Sequence, residues 1–401
     1  MTVGAIEHPA FATYPSLGGP TAFVSGGASG LGAGFVSQLA GQGMRVGFID
    51  IDLDRGKALE QALRDDGADA LFAECDVRDV SALQAAISRS AEQLGPIRML
   101  VNNAANDHRD KGRRLDVNAP AEQFTNPCTF HGEGPFWDAD NDRLLLVDML
   151  AGAVVEVDAD GGTRRHKLGT VAAAIRARRS GGYVLATENQ FALLGPDLTE
   201  QAVLPPVFTD PLIRMNDGGC DPQGRFYCGT MAYDETPGAG TLHRLDPDGS
   251  VHVTLREVTI SNGLQWNRSG DTVFYADTPT GRVDSFTFDP ASAAFTDRRT
   301  FTDISGGGHP DGMAIDEEDG IWVALWGGSA VHRYDWTGRL DLIVDLPVSN
   351  VTACAFGGPE LKTLFITTSR QGLEEDDQPE AGAVFRYEAA VRGAPQHAFA
   401  G

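Results

Sequence analysis

The chain has no two cysteines spaced as C-x-x-C, and its five, Cys75, Cys128, Cys220, Cys228 and Cys354, are odd in number and scattered over 401 residues. That spacing excludes a zinc ribbon or a thioredoxin-like redox pair and offers no disulfide framework, so buried, reduced thiols in the cytoplasm are expected. Nor is there an uninterrupted apolar run long enough to cross a bilayer. The first 19 residues, with Glu7, His8, Pro9 and Pro15, lack the basic start and apolar core of a signal peptide and are expected to be flexible. Positive charge is short as well: 32 Lys and Arg stand against 56 Asp and Glu, a net charge of −24. An acidic surface gains nothing from counterion release, which argues against nucleic acids and anionic membranes as partners and leaves small molecules.

The acidity is unevenly spread. Residues 1–121 carry 11 basic and 15 acidic side chains, a net −4, and the other −20 falls beyond them. That second region repeats itself. A turn rich in Asp, Asn and Gly followed by an apolar strand recurs as Asp138 to Asp148, Arg178 to Glu188, Asp221 to Met231, Asn267 to Asp277, Asp316 to Trp326 and Gly357 to Thr367. Gly supplies the turn geometry, and a spacing of roughly 40 to 50 residues is that of a four-stranded propeller blade. Six units predict a closed six-bladed β-propeller over residues 122–401.

Equivalent positions on successive blades point at one axis. Glu133 precedes its turn at Asp138 by the offset that separates Asn216 from Asp221, Asn262 from Asn267 and Asp311 from Asp316. The same phase holds Ala173 and Thr352 in the other two blades, so the ring should be polar on one side only. Asn and Asp ahead of a strand often merely bond their own backbone, but four in phase should converge. Two carboxylates and two amide oxygens at one channel mouth favour a divalent cation; oxygen-only ligation suits calcium, magnesium or manganese, without excluding zinc or iron.

The first region reads differently. Thr21 to Val24 is a short strand running into Ser25-Gly26-Gly27-Ala28-Ser29-Gly30-Leu31-Gly32 and a helix; Arg45 to Ile49 is a strand ending at Asp50. A further helix, a strand Ala70 to Glu74 closed by Asp76-Val77, another helix and Met99 to Ala104 complete a βαβαβαβ pattern, an α/β partial Rossmann domain over residues 20–106. Glycines at a strand end let backbone approach a pyrophosphate at the helix N-terminus. With Asp50, Asp76-Val77 and Asn102-Asn103-Ala104, this segment resembles the short-chain dehydrogenase/reductase family. The resemblance implies an NAD site at Gly26, Gly30, Gly32, Asp50, Asp76 and Asn102. That family's chemistry needs a Tyr-x-x-x-Lys pair, and no Tyr of this chain has Lys at that spacing. The segment also ends after its fourth strand, so a vestigial site with weak or no NAD binding is expected. Residues 107–121, dense in charge, read as a linker.

From Phe130 onward the chain resembles the regucalcin, gluconolactonase and luciferin-regenerating enzyme family. The motifs are Glu133 in Gly-Glu-Gly-Pro, Arg214-Met-Asn216-Asp217-Gly, Ser261-Asn262-Gly-Leu, Pro310-Asp311-Gly-Met and Cys354-Ala-Phe-Gly-Gly. The resemblance implies that Glu133, Asn262 and Asp311 are metal ligands, that Arg214 and Asn216 lie over the substrate, and that the acidic substrate contact falls on Asp234. It implies metal-dependent opening of a sugar lactone; Asp311 is the candidate general base, since a carboxylate touching the metal can also reach its water. A calcium-binding regulatory propeller, and a two-step NAD sugar dehydrogenase and lactonase, are the alternatives.

Overall fold

A computed structural model of the chain describes residues 18–77, 80–103, 118–304, 307–374 and 377–401. The chain divides into two compact units, Met1–Gly112 and Arg113–Gly401. Most of the N-terminal stretch expected to be flexible, and of the expected linker, lies outside the described residues.

In the first unit, β1 (Thr21–Ser25), α1 (Gly30–Gly41), β2 (Arg45–Asp50), α2 (Leu53–Asp65), β3 (Ala70–Glu74), α3 (Val80–Leu94) and β4 (Ile97–Asn102) follow in order. Every residue of β1 is buried, as its run of apolar and small side chains requires of a central parallel strand. Asp52 starts α2 by accepting a bond from Arg55 N at 3.1 Å. The sheet is parallel, in the order β3-β2-β1-β4, and Val24, Val36, Val46, Phe48 and Phe72 form its core. Among the described residues β4 has no further strand beside it, and its Leu100 is 60% exposed.

The second unit is a six-bladed propeller. Its innermost strands are Gly132–Asp138, Ala172–Ala177, Ile213–Cys220, Ser261–Trp266, His309–Ile315 and Val351–Gly357, blades 1 to 6, and each neighbours the next in a closed ring. The second strands, Arg143–Asp148, Tyr183–Thr187, Phe226–Ala232, Thr272–Asp277, Ile321–Trp326 and Thr363–Thr368, are the six repeated units read from the sequence. The turn carboxylates that open several of them are buried hubs. Asp221 accepts from Arg225 N at 2.9 Å, and Asp316 from Gly320 N at 2.8 Å and Trp322 Nε1 at 2.8 Å.

The ring closes through the start of the unit: Glu122–Gln123 pairs antiparallel with Phe385–Glu388 as the outer strand of blade 6. Asn118–Pro120, within the stretch expected as linker, is a fifth strand on blade 5, parallel to Leu340–Asp345. A strand of three residues bounded by Pro leaves little periodic signal, and its partner is more than 200 positions away in sequence.

Each innermost strand breaks register against its neighbour at one place. The shifts fall between Glu133 and Phe136, Ala172 and Ala174, Met215 and Gly218, Asn262 and Leu264, Pro310 and Met313, and Val351 and Ala353. An extra residue in a strand re-aims its side chain. All six in-phase positions lie at or inside these bulges.

Candidate active site

The bulges bring Glu133, Arg214, Asn216, Asn262 and Asp311 to one cavity of about 340 Å³, also lined by His131, Met231, Glu235, Thr278, His309 and Trp326. Glu133, Arg214, Asn216, Asn262 and Asp311 are each at most 5% exposed. The bulge geometry depends on small residues. A Cβ on Gly312 would stand 2.4 Å from Ala353 Cβ, and one on Gly263 2.7 Å from Asp311 O.

Hydrogen bonds tie the polar side together. Arg214 Nη1 donates to Asn216 Oδ1 at 2.6 Å and to Met215 O at 3.1 Å, with the face of Tyr233 5.8 Å from its guanidinium carbon. Asn216 Nδ2 donates to Ser261 O at 2.9 Å and Asn262 Oδ1 at 3.2 Å, and Asn262 Nδ2 to Thr278 Oγ1 at 2.8 Å. On the plain side Thr352 Oγ1 donates to Gly132 O at 2.6 Å, and Ala173 is fully buried.

The electrostatics are unfavourable as they stand. Burial, then the Asp217 charge, push the Glu133 carboxyl from its usual 4.5 up to about 8. Burial, Glu133 and Asp217 hold Asp311 well above the ordinary carboxylate range, and burial raises Asp217 as well. Burial also lowers the Arg214 guanidinium and, with help from Arg214, drops His131 to about 3. Asp311 Oδ1 is buried with no hydrogen-bond partner. An orphan carboxylate oxygen among mutually repelling acids is what a bound cation would relieve. Glu133, Asp311 and the amide oxygen of Asn262 fit such an ion as oxygen donors. The set includes an amide: among the described residues no three His, Cys, Asp or Glu side chains converge as a metal cluster.

Asp234 does not line this cavity. Its carboxylate accepts from Thr236 N at 3.1 Å and Thr236 Oγ1 at 2.7 Å, a local turn on the exposed loop, while the adjoining Glu235, at a φ of 57°, lines the cavity instead. Sequence phase also passed over Asp217, next to the in-phase Asn216, because one position per blade is all that a repeat can mark. Tyr233 escaped notice too. Its hydroxyl donates to Glu188 Oε1 at 2.7 Å, which anchors the ring over Arg214. His131 packs edge-on to Trp326 and bonds Ser369 Oγ at 2.8 Å.

In the first unit Gly26, Gly30, Asp50, Asp76 and Asn102 all sit at the carboxyl ends of parallel strands or just beyond, with Gly32 in the first turn of α1. The glycine turn is braced from both sides. Asn103 Nδ2 donates to Gly26 O at 2.9 Å, and Asp50 Oδ2 accepts from Ala28 N at 2.9 Å while its Oδ1 accepts from Asp52 N at 3.0 Å. Gly32 has no room for a side chain, since a Cβ there would stand 1.8 Å from Gly26 O.

Comparison with known proteins follows the same division. The family model described as SMP-30/Gluconolactonase/LRE-like region matches residues 131–370, and that of short chain dehydrogenase matches residues 20–129. Regucalcin of Xenopus laevis is 36% identical over 285 residues, covering 67% of this chain and 95% of that protein. The "Putative sugar lactone lactonase YvrE" of Bacillus subtilis is 34% identical over 278 residues, with the same two coverages of 67% and 95%. The crystal structure of regucalcin from Agrobacterium tumefaciens, described as a calcium-binding protein, superposes with a TM-score of 0.67 at 25% identity, covering 71% of this chain and 98% of that one. With a matched region that spans most of the propeller and relatives covered almost end to end, the chain belongs to the SMP-30/gluconolactonase/LRE-like family, with a short-chain dehydrogenase segment ahead of the propeller.

Proposed function

We propose that the propeller hydrolyses a sugar lactone, of the gluconolactone or pentonolactone kind, to its aldonic acid, and that it does so with one divalent cation held by Glu133, Asn262 and Asp311. The observation that carries this reading is the buried, unpartnered Asp311 Oδ1 in a cavity that also holds Arg214, Asn216 and Glu133. The lactonase name borne by the Bacillus relative and the calcium-binding description of the Agrobacterium structure support it.

When bound, the cation would polarise the lactone carbonyl and lower the pKa of water beside it. Arg214 binds the carbonyl side of the lactone and meets the developing oxyanion, its fork held still by Asn216 and by the Tyr233 face. Asp311 takes a proton from the attacking water as its oxygen joins the carbonyl carbon. The ring C–O bond then breaks, the ring oxygen receives a proton to become a hydroxyl, and the aldonate leaves with net release of one proton. Asn216 bridges Arg214 to Asn262 and so keeps the substrate side in register with the cation side. Glu235 takes the substrate-facing acidic role that the sequence placed on Asp234, because only Glu235 reaches the cavity.

A regulatory propeller that holds calcium without catalysis leaves the braced Arg214 without a task. A complete NAD sugar dehydrogenase would need strands beyond β4 and the missing Tyr-x-x-x-Lys pair. The five free thiols fit a cytoplasmic setting, and among the described residues no helix is long and apolar enough to cross a membrane. The test is a screen of the chelated protein, reconstituted with calcium, manganese, magnesium, zinc or iron, against a panel of sugar lactones. Opening of at least one lactone that depends on added cation is expected; hydrolysis equally fast in the chelated protein would overturn the metal requirement, and no hydrolysis with any pair would overturn the activity.

A further inference from the structure

Arg176 lies on the innermost strand of blade 2, outside the cavity just described, and is 6% exposed. It lines a second cavity of about 250 Å³ together with Gly219, Gln265, Trp266, Gln396 and His397. A buried guanidinium needs acceptors for its donors, and this one finds them on the main chain. Nη2 donates to Gly218 O at 2.7 Å, and Nη1 donates to Ile175 O at 2.7 Å and reaches Gly134 O at a long 3.4 Å.

The two glycines are not arbitrary. Gly134 follows Glu133 in the bulge of blade 1, and its N–H donates to Glu133 Oε2 at 3.1 Å. Gly218 follows Asp217 in the bulge of blade 3, and its N–H donates to Asp217 Oδ1 at 2.7 Å. Each glycine therefore holds an acidic side chain with its N–H and is itself held by Arg176 at its carbonyl. The Arg176 charge also favours the ionised form of Asp217. We propose that Arg176 is a positioning residue, which spans blade 2 from behind the site and fixes the bulges of blades 1 and 3, and with them the Glu133 and Asp217 carboxylates.

The planar fork suits this task, since its two terminal nitrogens can reach acceptors on different blades, and a lysine cannot do so. Sign separates positioning from charge. A cation acting only through space would repel a nearby metal ion, and its removal would tighten metal binding. Loss of a brace would weaken it.

The experiment compares wild-type chain with Arg176→Lys, which keeps the charge, and Arg176→Met, which does not. Hydrogen exchange of the Gly134 and Gly218 amides in metal-free protein is read beside Mn²⁺ affinity and lactone kinetics. Both variants should lose about tenfold in protection at those two amides, with the Cys354 amide of blade 6 unchanged. Both should also bind Mn²⁺ about tenfold more weakly and show a lower kcat with KM changed less than about twofold. Unaltered protection at Gly134 and Gly218 in either variant would overturn the proposal. So would lost protection with wild-type Mn²⁺ affinity and kcat, or tighter Mn²⁺ binding by Arg176→Met. The kinetic arm rests on the hydrolytic reading; a wild-type chain that neither binds Mn²⁺ nor opens a lactone would sink that reading, and the exchange arm would still decide whether Arg176 fixes the two bulges.

Discussion

The two units of this chain both gather chemistry-bearing residues at strand ends, yet one builds an enclosed site and the other a local fingerprint. In the propeller every innermost strand has a neighbour on each side, and the ring is closed by Glu122–Gln123 on Phe385–Glu388. Side chains from blades 1, 3, 4 and 5 meet in one cavity, buried deeply enough to shift their protonation. In the first unit the glycine turn and Asp50 are in place, but they come from two adjacent strands and are already partnered within the unit, Asp50 by the Ala28 and Asp52 N–H groups and Gly26 O by the Asn103 side chain. Among the described residues the sheet ends at β4, with Leu100 open to solvent. A cofactor fingerprint is a local feature of the first few elements; a catalytic site is a property of closure, and the propeller has closure.

That contrast breaks most visibly at one carboxylate. Replacing Asp311 by Ala should lower lactone opening by about 10³-fold, the usual scale for loss of a positioned base, whereas a bulky residue at Gly30 should leave lactone kinetics unchanged. Steady-state rates on both variants check it, and equal losses would mean that the units act together. Arg214→Ala should lower kcat/KM by about 10²-fold, or ~2.7 kcal/mol, as for one oxyanion donor of several.

Truncation sharpens the boundary between the units. A chain starting at Arg113 should keep its lactone kcat/KM within about twofold, because the propeller carries its own core. A chain starting at Phe124 loses the fifth strand of blade 5 and the closing strand of blade 6, and should melt several degrees lower, roughly 2 °C for each kcal/mol lost. Melting curves of the two truncations decide it; identical curves would show that the closing strand adds nothing.

The smallest effect is on pH dependence. A carboxyl whose folded pKa is raised binds more protons folded than unfolded, so the stability it gives is full below its unfolded value and lost as pH rises through the folded one. For Glu133 that window runs from 4.5 to about 8, and Asp311 and Asp217 are displaced in the same direction. His131 has the opposite sign, but its window, from about 3 to 6.5, is past by neutrality. The melting temperature of metal-free protein should therefore fall between pH 6.5 and 8, and a saturating divalent cation should flatten the slope. A slope unaffected by the cation would separate the acids from any metal site.

Much of this was legible in the sequence because both units are built from repeated local signals. The six turn-and-strand units are the second strands of the six blades, and the phase of Glu133, Asn216, Asn262 and Asp311 anticipates their meeting in one cavity. The rest depends on contacts without a local signature. Arg176 bonds main-chain carbonyls, which any sequence offers. Asn118–Pro120 is defined only by a distant partner strand. Asp217 lies beside Asn216 inside the register break of blade 3, a feature that a one-position repeat does not mark, and the choice between Asp234 and Glu235 turned on a left-handed residue in a loop.

The most direct measurement is anomalous scattering from crystals of the full chain soaked in Mn²⁺ after chelation. One strong peak is expected within roughly 2.0–2.6 Å of oxygens from Glu133, Asn262 and Asp311, and it should vanish in Asp311→Ala. A peak elsewhere in the chain, or none at this mouth at saturating Mn²⁺, would contradict the assignment of the propeller cavity as the catalytic centre.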